Sequence, residues 1–309
     1  MAKSPAPAYA LPMRRTTDLS GIVAMMAATA AFVVGDSFMK LVTEDLPPFE
    51  VIFLRGIAAS LACGLLVALR GEWAAVPQAF HIRAVLRATG ETLSLLCYIV
   101  ALARMPIADV IAIVQTAPLM VLVGAALFLR ERIGPARVAL ALVGFAGALM
   151  VAQPGAAGLS SAALLAFGAA VLVAARDLVG RDIPTSIPVS VVIWTTVMMG
   201  MLVGGAMSLA FETWVPPAPR HLGLLVLAGL FVALGHVLLL LAYRLGRIAR
   251  VAPFFYSFAL WAVVASVLVW GEVPNAVALT GIGLIVGSGI AILLIDTRRG
   301  RPVELTEAL

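Results

Sequence analysis

The ionisable candidates inside stretches of this sequence that are otherwise apolar are Asp36, Lys40, Arg55, Arg87, Glu91, Arg176, Asp177, Arg181 and His236. A charge at the centre of a lipid-spanning helix costs about 2.5–3.5 kcal/mol on insertion scales, so each needs a partner or a task. Asp36 and Lys40, four residues apart, form one acid–base set, and Asp177 and Arg181 form another. Each set could close one gate of a pore, with Arg55 as a further base for Asp36. Each could instead neutralise itself along its own helix, with the long bases snorkelling to the interface. Glu91 stands one turn beyond Arg87, where it could bind a substrate amine, titrate as a coupling site, or only pair with that arginine. His236 fits an interhelical hydrogen bond or a proton relay. Among neutral groups, Tyr98, Gln115, Thr116 and Ser257 are the polar candidates. Phe254, Phe255, Tyr256, Phe258 and Trp261 make a one-sided aromatic cluster, suited to a planar or cationic molecule or to simple packing. The expected substrate contacts are Glu91, Tyr98, Gln115, His236, Tyr256, Ser257 and Trp261. The gate candidates are Asp36, Lys40, Arg55, Asp177 and Arg181.

An intramembrane enzyme would need a Ser–His pair, paired Asp or a metal triad. The chain has three histidines, two of them (His81 and His221) near opposite surfaces, and no HExxH or GxSxG motif. Cys63 and Cys97 lie deep in apolar segments, far from other ligand types, and read as inert thiols. No catalytic residue, metal or cofactor is expected.

The elements that carry these groups are membrane spans. Of 309 residues 62% are apolar and only 12% charged, against about 25% charged in a soluble domain. The mean hydropathy is +1.09. The net charge of +5 is spread between apolar blocks, as membrane flanks are, so nucleic acid is not the expected partner; a lipid bilayer is. Apolar runs long enough to cross about 30 Å of hydrocarbon lie near 19–43, 49–69, 82–103, 106–129, 135–152, 160–180, 187–210, 221–244, 249–270 and 275–295. Backbone groups in lipid must be satisfied within the segment, so these runs are expected to be helices. The first run is longer than a signal-peptide core, which spans about 7–15 residues, and is expected to be retained. The stretch near 70–82, with Trp73 and Phe80, is expected to lie along the interface.

The chain matches itself at an offset of 141 residues. Asp36 falls on Asp177, Lys40 on Arg181, Pro47 on Pro188, Ala101 on Ala242, Ile107 on Ile248 and Glu131 on Glu272. Charged residues are scarce here, so the matched acids and bases weigh more than apolar matches. Five spans per half is an odd number, so the second half enters the membrane upside down. Inverted repeats of this kind place a binding site near the midplane and exchange inward- and outward-open states. The expected organisation is a tail over 1–18, a first five-helix repeat over 19–152, a second over 160–295 and a tail over 296–309. Gly283 and Gly287 have the spacing of close helix packing, within or between protomers.

Each half ends with an aromatic residue and Ala before a polar turn, then an apolar helix, a Glu and a Gly-rich helix. In the first half these are Tyr98, Ala101, Arg104-Met105-Pro106, Pro118, Glu131, Gly144 and Gly147. In the second they are Ala242-Tyr243, Arg244 to Arg247, Glu272, Gly281, Gly283, Gly287 and Gly289. Over residues 19–295 this pattern resembles the ten-helix EamA-type members of the drug/metabolite transporter superfamily. Ala259 stands where Pro118 would repeat, so the ninth span is expected to be less kinked than the fourth. The resemblance is greatest to bacterial inner-membrane exporters of amino acids, the aromatic ones included. It implies a multi-pass inner-membrane protein, monomer or homodimer, that exports a small metabolite by alternating access. Carriers of S-adenosylmethionine and of nucleotide sugars or sugar phosphates are similar too.

Orientation follows from the bases. Of the 21 Lys and Arg residues, four (Lys40, Arg55, Arg104, Arg220) fall on one side and the other seventeen on the side of the termini. The positive-inside rule places the termini in the cytoplasm. Fusing a reporter active only in the periplasm to each loop tests this. Signal is expected from the loops near 45, 104, 155, 215 and 272; signal from those near 75, 132 or 184 would exclude the inverted arrangement.

Overall fold

The computed structural model describes residues 18–128, 134–153, 159–180, 183–184, 186–246 and 251–298, and among these every regular element is a helix. Among the described residues eleven α-helices follow one another: α1 Asp18–Val42, α2 Pro48–Leu69, α3 Ile82–Leu102, α4 Ile107–Val114, α5 Ala117–Phe128, α6 Pro135–Ala152, α7 Ser161–Gly180, α8 Val189–Phe211, α9 Pro219–Leu245, α10 Ser257–Ala265 and α11 Ala276–Arg298. Nine described segments are long and apolar enough to cross a membrane by themselves, the segment Ala252–Trp270 among them. The fourth expected span is the exception, because it is broken into α4 and α5. Pro118 has no N–H and its ring collides with the carbonyl four residues back, so the helix stops at Val114. Thr116 covers the break, its N–H and hydroxyl both reaching the Ile113 carbonyl, at 3.0 and 2.6 Å.

The ninth span is not the straighter helix that the loss of this proline predicts. It opens as a 3₁₀ turn over Ala252–Tyr256, becomes α10 at Ser257 and closes as a π turn over Ser266–Trp270. Gln115 and Thr116 correspond to Tyr256 and Ser257 at the offset of 141 residues, so both halves are irregular at the same place. The two irregularities touch: α4 packs on α10, and Gln115 Nε2 donates to the Phe255 carbonyl at 3.4 Å.

Helix packing repeats the internal duplication. The most extensive contact joins α1 to α9; its counterpart under exchange of halves, α3 to α7, is next. The contacts of α2 with α8 and of α6 with α11 are their own counterparts, and α2 on α9 answers α3 on α8. Small residues let these helices approach. A side chain at Gly35 would meet the Ala228 carbonyl at 3.1 Å, and one at Gly235 would enter the Phe32 ring at 2.6 Å.

A reciprocal clasp ties α2 to α8. Glu212, just past the end of α8, accepts the N–H groups of Phe49 (2.9 Å) and Glu50 (3.0 Å) at the start of α2. Glu72, just past the end of α2, accepts the Ser190 hydroxyl at the start of α8. Each carboxylate meets the positive end of the other helix dipole. Directly after Glu72 comes the 3₁₀ turn Trp73–Phe80, in the stretch expected along the interface. Exposed Leu61, Leu65, Leu209 and Leu268 present the outer surface to lipid, and both cysteines are free.

The close glycine contact of α11 is not the one its spacing suggests. Gly283 and Gly287 face open space, whereas a side chain at Gly281 would meet the Gly147 carbonyl of α6 at 2.5 Å. Overpacking of this kind costs roughly 1–3 kcal/mol. Gly281→Ala should therefore lower the midpoint of thermal unfolding in detergent, while Gly283→Ala leaves it in place.

Candidate functional site

One face of α1 organises the interior. Thr29, Phe32, Asp36 and Lys40 follow at three- and four-residue intervals and so share a side of the helix. Three layers of contacts hang from it, and each recruits a different set of helices.

The layer farthest from the termini holds charges. Lys40 does not pair with Asp36. Its ammonium donates to the Met105 carbonyl at 2.8 Å, lies 4.9 Å from the centre of the Trp270 ring and 4.0 Å from Glu272. Nearby, Asp45 in the α1–α2 turn accepts Arg220 Nη2 at 2.7 Å and meets His221 Nε2 at 3.0 Å. These two bonds hold Asp45 below the usual carboxylate range. Trp270 Nε1 also donates to Glu44 at 3.1 Å. One turn deeper, Asp36 accepts the Tyr98 hydroxyl at 2.8 Å. Arg55 of α2 lies within electrostatic reach of both.

The middle layer is aromatic. Phe32 stacks edge-on with His236 at 5.1 Å and with Phe258 at 6.3 Å, and Phe258 lies 6.2 Å from Phe255. His236 Nδ1–H donates to the Val232 carbonyl at 2.8 Å. Ser257 shares a 2.8 Å hydrogen bond with Thr29, and Trp261 Nε1 donates to the Met26 carbonyl at 3.0 Å. Of the five clustered aromatics over 254–261, then, Phe255, Phe258 and Trp261 turn toward α1 or its neighbours. Tyr256 does not: it is 3% exposed, and its ring occupies the space over Gly289 of α11. Phe254 is exposed at the surface.

The layer nearest the termini holds a second set of charges. Glu91 pairs with Arg176 of α7 rather than with Arg87 on its own helix. Arg176 Nε also donates to Asp177 at 3.0 Å, and Arg87 sits within electrostatic reach of Arg176 and Asp177. Gly90 allows this, because a side chain there would meet Arg176 Cβ at 2.9 Å. Arg181 lies outside the described residues. Arg87 and Tyr98 stand eleven residues apart on α3, so the two charged layers are separated by roughly 16 Å along the helix. His236, between them, feels Arg87, Arg176 and Arg55 together.

Sequence reasoning missed Thr29 and Phe32, although their spacing with Asp36 and Lys40 marks them as one face. It also missed Glu72 and Glu212, which stand 140 residues apart, almost at the repeat offset.

A column of paired charges interrupted by aromatic rings, between two inverted halves, suits a path for a small molecule. Two matches to the family model described as "EamA-like transporter family" cover residues 19–153 and 160–295. The chain belongs to the EamA-like transporter family. Relatives include a riboflavin transporter of Rhizobium johnstonii, 35% identical over 66% of this chain and 67% of that protein. The pseudopaline exporter CntI of Pseudomonas aeruginosa is 30% identical over 88% of this chain and 95% of its own length. An S-adenosylmethionine uptake transporter of Rickettsia prowazekii is 22% identical over 90% and 93%. A solved crystal structure superposes with a TM-score of 0.65 at 20% identity, covering 90% of this chain and 98% of that one. This EamA-like transporter is thus a multi-pass inner-membrane protein that moves a small molecule.

The different surroundings of Tyr256 and Phe258 predict different consequences of truncation. Tyr256→Ala should destabilise by about 3–5 kcal/mol, as loss of a buried aromatic does, and lower uptake of every substrate alike. Phe258→Ala should leave the unfolding midpoint nearly unchanged and shift preference toward smaller substrates. Unfolding midpoints read beside transport of a large and a small substrate separate the two.

Proposed function

We propose that this EamA-like transporter exports small amphipathic metabolites, amino acids foremost, across the inner membrane by alternating access. The observation that supports it is the aromatic layer of Phe32, Phe258 and His236 set between two layers that each hold acid and base. An amino acid brings both charges and an apolar side chain, so one layer of each kind serves it. Riboflavin is the second candidate, supported by the relative of that name and by the suitability of stacked rings for a planar molecule.

The contacts at the face away from the termini are the gate in this scheme. Lys40 and Trp270 tie α1 to the ninth span and to the α3–α4 turn, and Asp45 ties the α1–α2 turn to α9. In the mirrored layer, the pairing of Arg176 with Glu91 and Asp177 joins α7 to α3. Opening one layer while the other stays paired is the exchange that inverted repeats permit. The exposed contacts of Asp45 are individually weak, as surface ion pairs are.

Purified protein in liposomes, preloaded with one compound and offered another, tests the substrate. Counterflow of amino acids is expected, faster for aromatic and large apolar side chains than for glycine. Counterflow of riboflavin with none for any amino acid would reject the amino acid assignment in favour of the second candidate.

The gate is tested separately. Asp45 has a lowered folded-state value, so its contribution is complete above its ordinary value of 3.8 and disappears as pH falls through the lowered one. Asp45→Asn reproduces that loss at neutral pH. It should increase labelling of a cysteine placed near Arg104, in a Cys63→Ala, Cys97→Ala background, several-fold. Unchanged labelling in both Asp45→Asn and Lys40→Gln would remove these contacts from the gate.

A further inference from the structure

Arg55 is a described intramembrane base with a guanidinium nitrogen enclosed and without a hydrogen-bond partner. A guanidinium carries five N–H donors and can hardly be deprotonated, and leaving such a charge unpaired in a water-poor interior is costly. Lys40 and Arg176 meet that demand. Lys40 has the Met105 carbonyl and Glu272; Arg176 has Glu91 and Asp177. Arg55 is 9% exposed, its Nε is enclosed without a partner, and no hydrogen bond or ion pair from it to another described residue is formed. The natural counter-charge, Asp36, is near enough to be felt but farther than 4.0 Å, and the Tyr98 hydroxyl already holds it.

We propose that Arg55 is the anchor for a carboxylate group of the transported molecule, with Asp36 as the resident counter-charge that steadies the empty site. The proposal rests on the transporter function above and names the chemical group recognised there. A guanidinium offers a planar fork that a carboxylate meets with two parallel hydrogen bonds, which a neutral amide or a single hydroxyl cannot match. Asp36, held by Tyr98, keeps the site near neutrality while it is empty. It also faces whatever positive group accompanies the carboxylate. Phe32 stands one turn along α1 from Asp36, about 6 Å away along the axis, and His236 completes the apolar side. A molecule whose carboxylate meets Arg55 therefore has its ring or chain directed at the aromatic layer. A phosphate ester could use the same fork, so the test distinguishes the two anions.

The experiment measures binding to purified full-length protein in detergent by calorimetry, with L-phenylalanine, L-phenylalaninamide, 3-phenylpropionate and inorganic phosphate as probes. The wild type should bind phenylalanine and phenylpropionate about 10- to 100-fold more tightly than the amide, the range for hydrogen bonds to a charged group. Arg55→Gln should bring the acids down to the amide while the amide is unchanged. Arg55→Lys should keep part of the preference, since the charge remains and the fork does not. Both variants should elute as the wild type does, and unchanged amide binding shows that the site itself is intact. Retention of the acid preference in Arg55→Gln would overturn the proposal, as would an equal loss for acid and amide. Tighter binding of phosphate than of either acid would overturn the choice of carboxylate. Phenylpropionate binding that depends on Arg55, without counterflow of any amino acid, would keep the anchor and reject the amino acid assignment instead.

Discussion

A charge inside hydrocarbon has to find its counterpart within the protein, and in this chain the counterparts are mostly on the other half. Arg176 of the second half meets Glu91 of the first, and Lys40 of the first meets Glu272 of the second. Asp45 takes Arg220 and His221, and Glu212 takes the backbone at the start of α2. Removing charges from water is expensive, so these pairs form wherever the two halves bring opposite charges together. They hold the halves in register without making a dry hydrophobic seal, which would be difficult to open. Asp36, Tyr98 and Arg55 depart from this rule: all three belong to the first half, and their neutralisation is incomplete.

Inversion decides where the pairs lie. α1 packs along α9 and α3 along α7, so the two halves meet through a pair of equivalent crossings. Two charged layers result, with the irregular fourth and ninth spans meeting between them at Gln115 and Phe255. Irregular backbone at membrane depth is tolerated where protein buries it or where it lines a water-filled cavity. Thr116, which returns its hydroxyl to the Ile113 carbonyl, shows how the exposed backbone is satisfied. The clasp made by Glu72 and Glu212 is the same symmetry acting outside the path. It fixes α2 against α8 at both ends.

Glycine and alanine set the distances. Gly35, Gly235 and Gly90 let α1 reach α9, and α3 reach α7, closely enough for short polar contacts. Dispersion between closely packed backbones replaces the hydrophobic effect here, because lipid is as apolar as the side chains. The same reasoning explains why Gly283 and Gly287 are a poor guide. Spacing places them on one face of α11, but only a neighbouring helix can make that face a contact, and within one protomer α6 approaches at Gly281 instead.

Composition and periodicity by themselves determined the spans, their number and the duplication, because hydrocarbon admits only continuous apolar helices and because charged residues that recur at a fixed offset are informative where charge is rare. They also determined that Asp36, Lys40, Glu91 and Asp177 would need partners. Which partners was decided by tertiary structure. Neighbours along a helix, Asp36 with Lys40 and Glu91 with Arg87, were the obvious pairings from spacing alone. Yet Lys40 reaches the Met105 carbonyl, and Glu91 reaches Arg176. Tyr256 and Phe258 are two residues apart in one aromatic run, but the 3₁₀ turn sends the first into α11 and leaves the second beside Phe32. A side chain can bond whatever its helix crossing brings within about 3 Å. Crossings depend on how two faces pack, a property of helix pairs that no single segment of the chain contains.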